Sequence, residues 1–285
     1  MAQTQEDRAR IRDRSRDRFE GLKEIVRGTG GALVAFSAGV DSTLVLAVAR
    51  EVLGDRAVAL TAHSPSVPRA ERAEARALAA RLGARHVEVE SREGESPGYQ
   101  ENSPERCYFC KSELYRLCEE TRQAMGLPAV LDGFNADDRR DHRPGHRAAQ
   151  ERHVLSPLAE VGLTKEEVRA WSEAYGLPTW DKPQMACLAS RIPYGTRVTP
   201  QRLARIEAAE VGVRAAGLRQ FRVRDHGEVG RIEVSAEEMD LAFARRAEIA
   251  AAVRRAGFAL AALDLEPFRS GRMNELARVP APGCQ

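Results

Sequence analysis

Apolar residues recur along this chain in two alternating patterns, short continuous runs and longer stretches where they return every third or fourth position. Between residues 7 and 27, Ile11, Phe19, Leu22, Ile25 and Val26 stand among charges and predict an amphipathic helix, read as a solvated leader. Ala32-Leu33-Val34-Ala35-Phe36 then reads as a strand entering a glycine-containing turn, with helical composition over 43–53. The alternation repeats as a strand over 57–62, an alanine-rich helix over 69–82 and a strand over 86–90. A helix over 111–125 and a buried strand over 129–132 follow, and strands separated by helices imply a parallel sheet. Residues 134–152 are polar and read as a long functional loop. Thr164-Lys165-Glu166-Glu167 has the form of a capping box opening a helix that ends near Tyr175-Gly176. A proline-rich passage over 178–200 breaks regular structure.

Beyond it the order is helix 201–216, strands 220–224 and 231–234, helix 236–255 and strand 258–265, an αββαβ unit. The expected fold class is therefore α/β, a parallel-sheet domain over 1–190 followed by a smaller α+β domain over 191–285. A length of 285 residues agrees with two cores rather than one.

Composition narrows the classes. Hydrophobic residues at 43% suffice for packed cores, and 44 basic against 42 acidic residues leave a net charge of only +2, which argues against a protein that coats nucleic acid. The first twenty residues are charged and lack the apolar stretch of a secretory signal, and no long apolar run predicts a membrane span. Five cysteines, an odd number, fit thiols or metal ligands in a reducing cytoplasmic setting.

Ser37-Ala38-Gly39-Val40-Asp41-Ser42 lies between the first strand and its helix, where unpaired N–H groups and the positive helix end favour a phosphate. Ser37 and Ser42 add hydroxyl donors, and Asp41 suits Mg2+ or loop organisation. An ordinary capped turn is the alternative. The chain lacks the Gly-x-x-x-x-Gly-Lys-Ser/Thr and Gly-x-Gly-x-x-Gly signatures of the common nucleotide folds. The loop instead resembles the Ser-Gly-Gly-x-Asp-Ser signature of PP-loop ATP pyrophosphatases, with Ala38 replacing a glycine, and the resemblance implies ATP as substrate for adenylating a carboxylate. His63, at the end of the second strand, stands where a parallel sheet opens its ligand crevice, a candidate adenosine contact. Asp137, Asp138 and Arg143, after the fourth strand, are candidates for positioning Mg2+, ATP or substrate, whereas His142, His146 and His153 show no ligand spacing.

Cys107-Tyr108-Phe109-Cys110 brings two thiols within reach of one metal or cluster, flanked by Arg106 and Lys111, which favour thiolates. Cys187 could supply a third ligand, leaving one iron of a [4Fe–4S] cluster open. A redox pair, an incomplete zinc site and unrelated buried thiols stay open as alternatives. Cys118, inside a predicted helix, reads as core, and Cys284 as incidental.

Six ordered blocks resemble a specific family, the LarE-type ATP-dependent sulfur transferases. They are Ser37 to Ser42, Arg106 to Lys111, Asn135 to Asp138 with Asp141 to Gly145, Leu177 to Pro183, Ala186 to Gly195, and Arg269 to Glu275. The resemblance implies a PP-loop (adenine nucleotide alpha hydrolase-like) domain and adenylation of pyridinium-3,5-biscarboxylic acid mononucleotide. Sulfur then attacks the acyl-adenylate, and two cycles make the thiocarboxylates of the nickel-pincer nucleotide cofactor of lactate racemase. Sulfur comes either from one sacrificed cysteine, matching Cys187, or from a [4Fe–4S] cluster on three cysteines matching Cys107, Cys110 and Cys187, and the three-cysteine set selects the cluster branch. A sulfur-donor or cluster-reloading partner and a homo-oligomer, with a hexamer among the options, are further implications.

Arg222 and Arg224 fall on one face of a strand, with Glu233 on the next strand able to orient one of them. The resemblance places them near substrate phosphate, with Glu210, Glu233 and Asp240 as companions, while a solvated sheet face is the alternative. Rival functions are a tRNA thiolase, which lacks its expected basic RNA-binding domain here, an ammonia-dependent PP-loop ligase, which has no use for three cysteines, and a noncatalytic iron–sulfur or nucleotide carrier.

Overall fold

A computed structural model describes residues 4–140, 144–183 and 186–269. The chain divides into two compact units, the first made of Met1–Ser64, Arg69–Glu93 and Cys107–Met185, the second of Pro65–Pro68, Gly94–Arg106 and Ala186–Gln285.

In the first unit, β1 (Ala32–Ala35), β2 (Ala57–His63), β3 (Arg85–Glu90) and β4 (Ala129–Leu131) form a parallel sheet in the order β3-β2-β1-β4. Side chains alternate across a strand, and here both sets are apolar because both sheet faces are covered. Ala32 and Val34 enter one core with Ala57 and Ala59, while Leu33 and Ala35 enter the other with Val58 and Leu60. The first core is closed by α1 (Gln5–Gly28), α2 (Val40–Leu53) and α3 (Arg69–Arg81), the second by the helix α4 (Arg106–Ala124). The edge strand β3 carries Arg85, Glu88 and Glu90, charges that discourage pairing with another chain.

Two expectations need correction in this unit. The leading helix is no solvated appendage: Ile11, Ser15, Phe19, Leu22 and Val26 form one buried stripe, and Phe19 stacks on Trp171 at 3.8 Å between ring centroids. Its stripe is narrow and the rest of its surface charged, so burial left only a faint signal in the sequence. The polar segment 134–152 is not all loop. It contains a 3-10 turn, Asp137–Arg140, and a helix, α5 (Pro144–Glu151), that buries Ala148 and Ala149 in the second core. Proline suits the start of a helix, where its missing N–H would have no intrahelical acceptor. The expected capping box is present at α6 (Lys165–Ala174), where Thr164 accepts from the Glu167 backbone and Glu167 bonds back.

The second unit has β5 (Phe221–His226) antiparallel to β6 (Val229–Val234), with β7 (Leu260–Leu263) parallel to β6. The parallel step requires a crossover. Where one helix was expected over 236–255, the crossover is a 3-10 turn followed by α8 (Met239–Ala244) and α9 (Arg246–Arg255). The preceding helix α7 (Pro200–Ala215) lies so close to α9 that a Cβ on Gly212 would sit 2.6 Å from the Ala252 Cβ. No described helix is long and apolar enough to cross a membrane.

Candidate active site

The loop between β1 and α2 is drawn together by its own hydroxyls. Ser42 Oγ accepts from the Ser37 backbone at 3.3 Å, lies 3.2 Å from Ser37 Oγ, and donates to the Gly39 carbonyl at 3.3 Å. The cap residue Gly39 offers α2 no side-chain bond, which leaves its first-turn N–H groups to meet an anion. Ala38 is buried and adopts φ +54°, the left-handed region that suits glycine. The turn is therefore reached in spite of the methyl group, at a conformational cost. Ala38→Gly is expected to stabilise the protein by about 1 kcal/mol, read as a higher urea midpoint at unchanged slope. A lower midpoint would show that the methyl contributes more by packing than it costs in strain.

Asp41 sits in the first turn of α2 and organises what faces it. Asn135 Nδ2 donates to its Oδ1 at 3.1 Å and Lys165 Nζ forms an ion pair with its Oδ2. Gly133 makes the approach possible, since a Cβ there would lie 2.7 Å from the Ser42 backbone nitrogen. Buried Asn135 accepts in turn from the Asp137 and Asp138 backbones at 3.0 and 3.4 Å. Asp138 accepts from the Asn135 N–H at 3.1 Å, and Asp137 from the Lys165 N–H at 2.8 Å. Asp41, Asp137 and Asp138 are thus linked through Asn135, and Asp41 and Asp137 also through Lys165. Lys182 Nζ donates to the Ala38 carbonyl at 3.1 Å and pairs with Glu74 at 2.8 Å. Arg143 lies outside the described residues.

His63 is buried at the end of β2, with Nε2 bonded to Glu88 and no partner for Nδ1 among the described residues. The hydrogen bond from Arg76, aided by His63, holds the Glu88 carboxyl down to about 2 against the cost of its burial. Thr61 Oγ1 donates to the Phe36 carbonyl at 2.8 Å, tying β2 to the entry of the loop.

Cys107 is exposed and Cys110 half-buried in the opening turns of α4, three residues apart and so on one helix face. Cys118, on the same helix, is fully buried, and burial pushes its thiol up to about 12, which leaves it inert. In the second unit, Cys187 is half-buried and opens the 3-10 turn Leu188–Arg191. Cys284 lies outside the described residues. Among the described residues, no group of three or more His, Cys, Asp or Glu side chains is arranged to hold a metal ion.

The strand arginines lie in the core of the second unit rather than on a solvated face. Arg224 donates to Glu233 at 2.9 and 2.7 Å and to the Ser190 carbonyl at 2.7 Å, and Glu210 forms a forked pair with Arg191 at 2.9 and 3.2 Å. Arg222 is buried over the Phe268 ring, and desolvation, with repulsion from Arg191, lowers its pKa to about 10. Arg191, Arg222 and Arg224 thus lie in one buried cluster with Glu210 and Glu233. Asp240 is exposed in the first turn of α8.

Sequence reasoning did not assign Lys165, Lys182 or Glu88 to the site. Lys165 alone carried a local signal: a cation at the first position of a helix costs about 0.5 kcal/mol against the helix dipole and asks for a compensating anion.

Residues 25–184 match the asparagine synthase family. Together with the loop geometry, this makes the chain a PP-loop protein, an ATP-using enzyme. It is 36% identical over 256 residues, 89% of its length and 91% of the relative, to the pyridinium-3,5-bisthiocarboxylic acid mononucleotide synthase of Lactiplantibacillus plantarum. The chain belongs to the family of that protein, the LarE-type enzymes. It is also 43% identical over 261 residues, 91% of this chain and 97% of the relative, to the uncharacterized protein slr1717 of Synechocystis. The uncharacterized protein MJ0830 of Methanocaldococcus jannaschii shares 28% identity over 169 residues, 59% of this chain and 66% of the relative.

Proposed function

We propose that the chain is an ATP-dependent sulfur transferase that converts the carboxylates of pyridinium-3,5-biscarboxylic acid mononucleotide to thiocarboxylates for the nickel-pincer nucleotide of lactate racemase. The single observation that carries the adenylating half is the loop from Ser37 to Ser42, closed by its serines and fronted by an Asp41 held by Asn135 and Lys165. A substrate carboxylate oxygen attacks the α-phosphorus of ATP, the bond to the bridging oxygen breaks, and pyrophosphate leaves with the electron pair. First-turn N–H groups of α2 stabilise the charge that develops on the phosphates. A sulfur nucleophile then attacks the acyl carbon and AMP departs, leaving the C–S bond.

Mg2+ commonly keeps several waters and takes one or two protein carboxylates beside the phosphates. Asp41, in the first turn of α2, would be the protein ligand. Bound there, the ion would neutralise pyrophosphate charge. His63 is assigned to the adenosine side, supported by its position at the carboxyl end of β2.

Cys107, Cys110 and Cys187 are assigned to sulfur delivery, with the [4Fe–4S] cluster as the carrier that the resemblance implies. A partner that reloads sulfur, a homo-oligomeric assembly and a cytoplasmic setting complete the reading.

The deciding experiment is pyrophosphate release from ATP with and without the biscarboxylate nucleotide. Release that depends on that substrate supports the function, and a chain that binds both without turnover is a carrier. Arg222→Ala is expected to raise KM for the mononucleotide about tenfold while leaving KM for ATP near the wild-type value, because a buried guanidinium suits a phosphate. Equal effects on both would defeat that assignment.

A further inference from the structure

Residues 186–190, Ala-Cys-Leu-Ala-Ser, include no strand or α-helix that would hold their backbone, yet four of their carbonyls accept from guanidiniums. Arg191 Nη1 donates to the carbonyls of Ala186 and Cys187, and to Ser190 Oγ, the last two at 3.0 Å. Arg106 Nη1 donates to the Ala189 carbonyl at 2.9 Å, and Arg224 Nη1 to that of Ser190 at 2.7 Å. Ser190 Oγ also donates to the Cys187 carbonyl at 2.7 Å.

Arg191, at the end of the turn itself, and Arg224, on β5, are each anchored by a carboxylate. Glu210 takes the fork of Arg191 and also accepts from the Val223 N–H at 3.1 Å, which ties the turn to β5. Glu233 takes Arg224 on one oxygen and Arg231 on the other at 2.8 Å, and Arg231 reaches Asp264 at 2.6 Å. Arg191 is 0% exposed and Glu233 0%. Burying such pairs is a poor way to gain stability, since apolar residues of equal volume do as well or better, and the best attested use of such pairs is to specify one geometry. Here the geometry specified is that of the Cys187 backbone.

We propose that Arg191 and Arg224, anchored by Glu210 and Glu233, are positioning residues for Cys187, suspending its turn so that the thiol is presented in one orientation. Its consequence for catalysis rests on the sulfur-transfer reading, whereas its effect on the thiol rests on the geometry alone. The two are tested separately.

In the full-length, iron-free protein, alkylation of each cysteine by iodoacetamide is followed by mass spectrometry for wild type, Arg191→Lys, Glu210→Gln and Ser190→Ala. Release of the turn is expected to raise the Cys187 rate by about threefold or more in the first two variants and less in Ser190→Ala, with Cys107 in the first unit as the unchanged reference. Sulfur transfer is expected to fall about 10- to 100-fold in Arg191→Lys while pyrophosphate release persists. If Arg191→Lys fails to fold, Glu210→Gln and Ser190→Ala carry the test, as each removes only part of the suspension. An unchanged Cys187 rate in folded variants overturns the proposal, as does an equal loss of pyrophosphate release and sulfur transfer. A wild type that releases no pyrophosphate defeats the proposed function, and the alkylation rates then decide the positioning role by themselves.

Discussion

Asp41→Asn is expected to lower adenylate formation by about 100-fold or more while changing stability by less than about 1 kcal/mol. The amide keeps the size of the carboxylate and one oxygen to accept from Asn135 Nδ2, so the approach of β4 past Gly133 is undisturbed. What is lost is charge. Lys165 would keep its ammonium at the start of α6 without its partner, and magnesium would lose its protein carboxylate. The Lys165–Asp41 pair retains side-chain exposures of 30% and 20%, so solvent screening limits its worth to the fold. The developing charge on the phosphates has no such alternative. Pyrophosphate release and urea unfolding, measured on the same preparation, check both halves. Release near the wild-type rate would remove Asp41 from the reaction.

Cys187→Ala is expected to abolish thiocarboxylate formation and to leave adenylation largely intact, because the phosphate loop is built from residues 37–42, and Cys187 belongs to the other unit. The same variant discriminates the source of sulfur. If Cys107, Cys110 and Cys187 share a cluster, anaerobically prepared wild type should hold about four irons per chain. Replacing any one of the three should then lower iron and sulfur transfer together. Cys118→Ala should be silent in both assays, its thiol being buried in the second core and pushed far from ionisation. Absence of iron, with Cys187 lighter by one hydrogen sulfide after a turnover, would instead identify a sacrificed cysteine. Cys107 and Cys110 would then be supporting thiols. Adenylation lost along with sulfur transfer would contradict the division of labour itself.

The sequence by itself determined the features that are written within one turn or one strand. The continuous apolar runs at 32–36 and 57–62, the glycine-containing loop after the first of them, the capping box at Thr164 and the Cys-x-x-Cys pair all depend on neighbours a few residues away. Their structures follow from local period and local chemistry. The loop from Ser37 to Ser42 was legible for the same reason, and so was the burial of Cys118 within its helix.

Only the tertiary structure decided who faces whom. Lys165 reaches Asp41 across 124 positions of sequence, Asn135 reaches it across 94, and Arg106 reaches the Ala189 carbonyl across 83. No periodicity encodes such pairs. The same holds for the leading helix, whose narrow stripe acquires its meaning from Trp171 stacked on Phe19, and for Arg224 and Glu233, which composition alone would leave on a solvated strand face. A charged side chain is cheap in water and costly in a core, and the sequence records its charge but not its surroundings. Burial, supplied by distant segments, turned those charges into the suspension of a single cysteine.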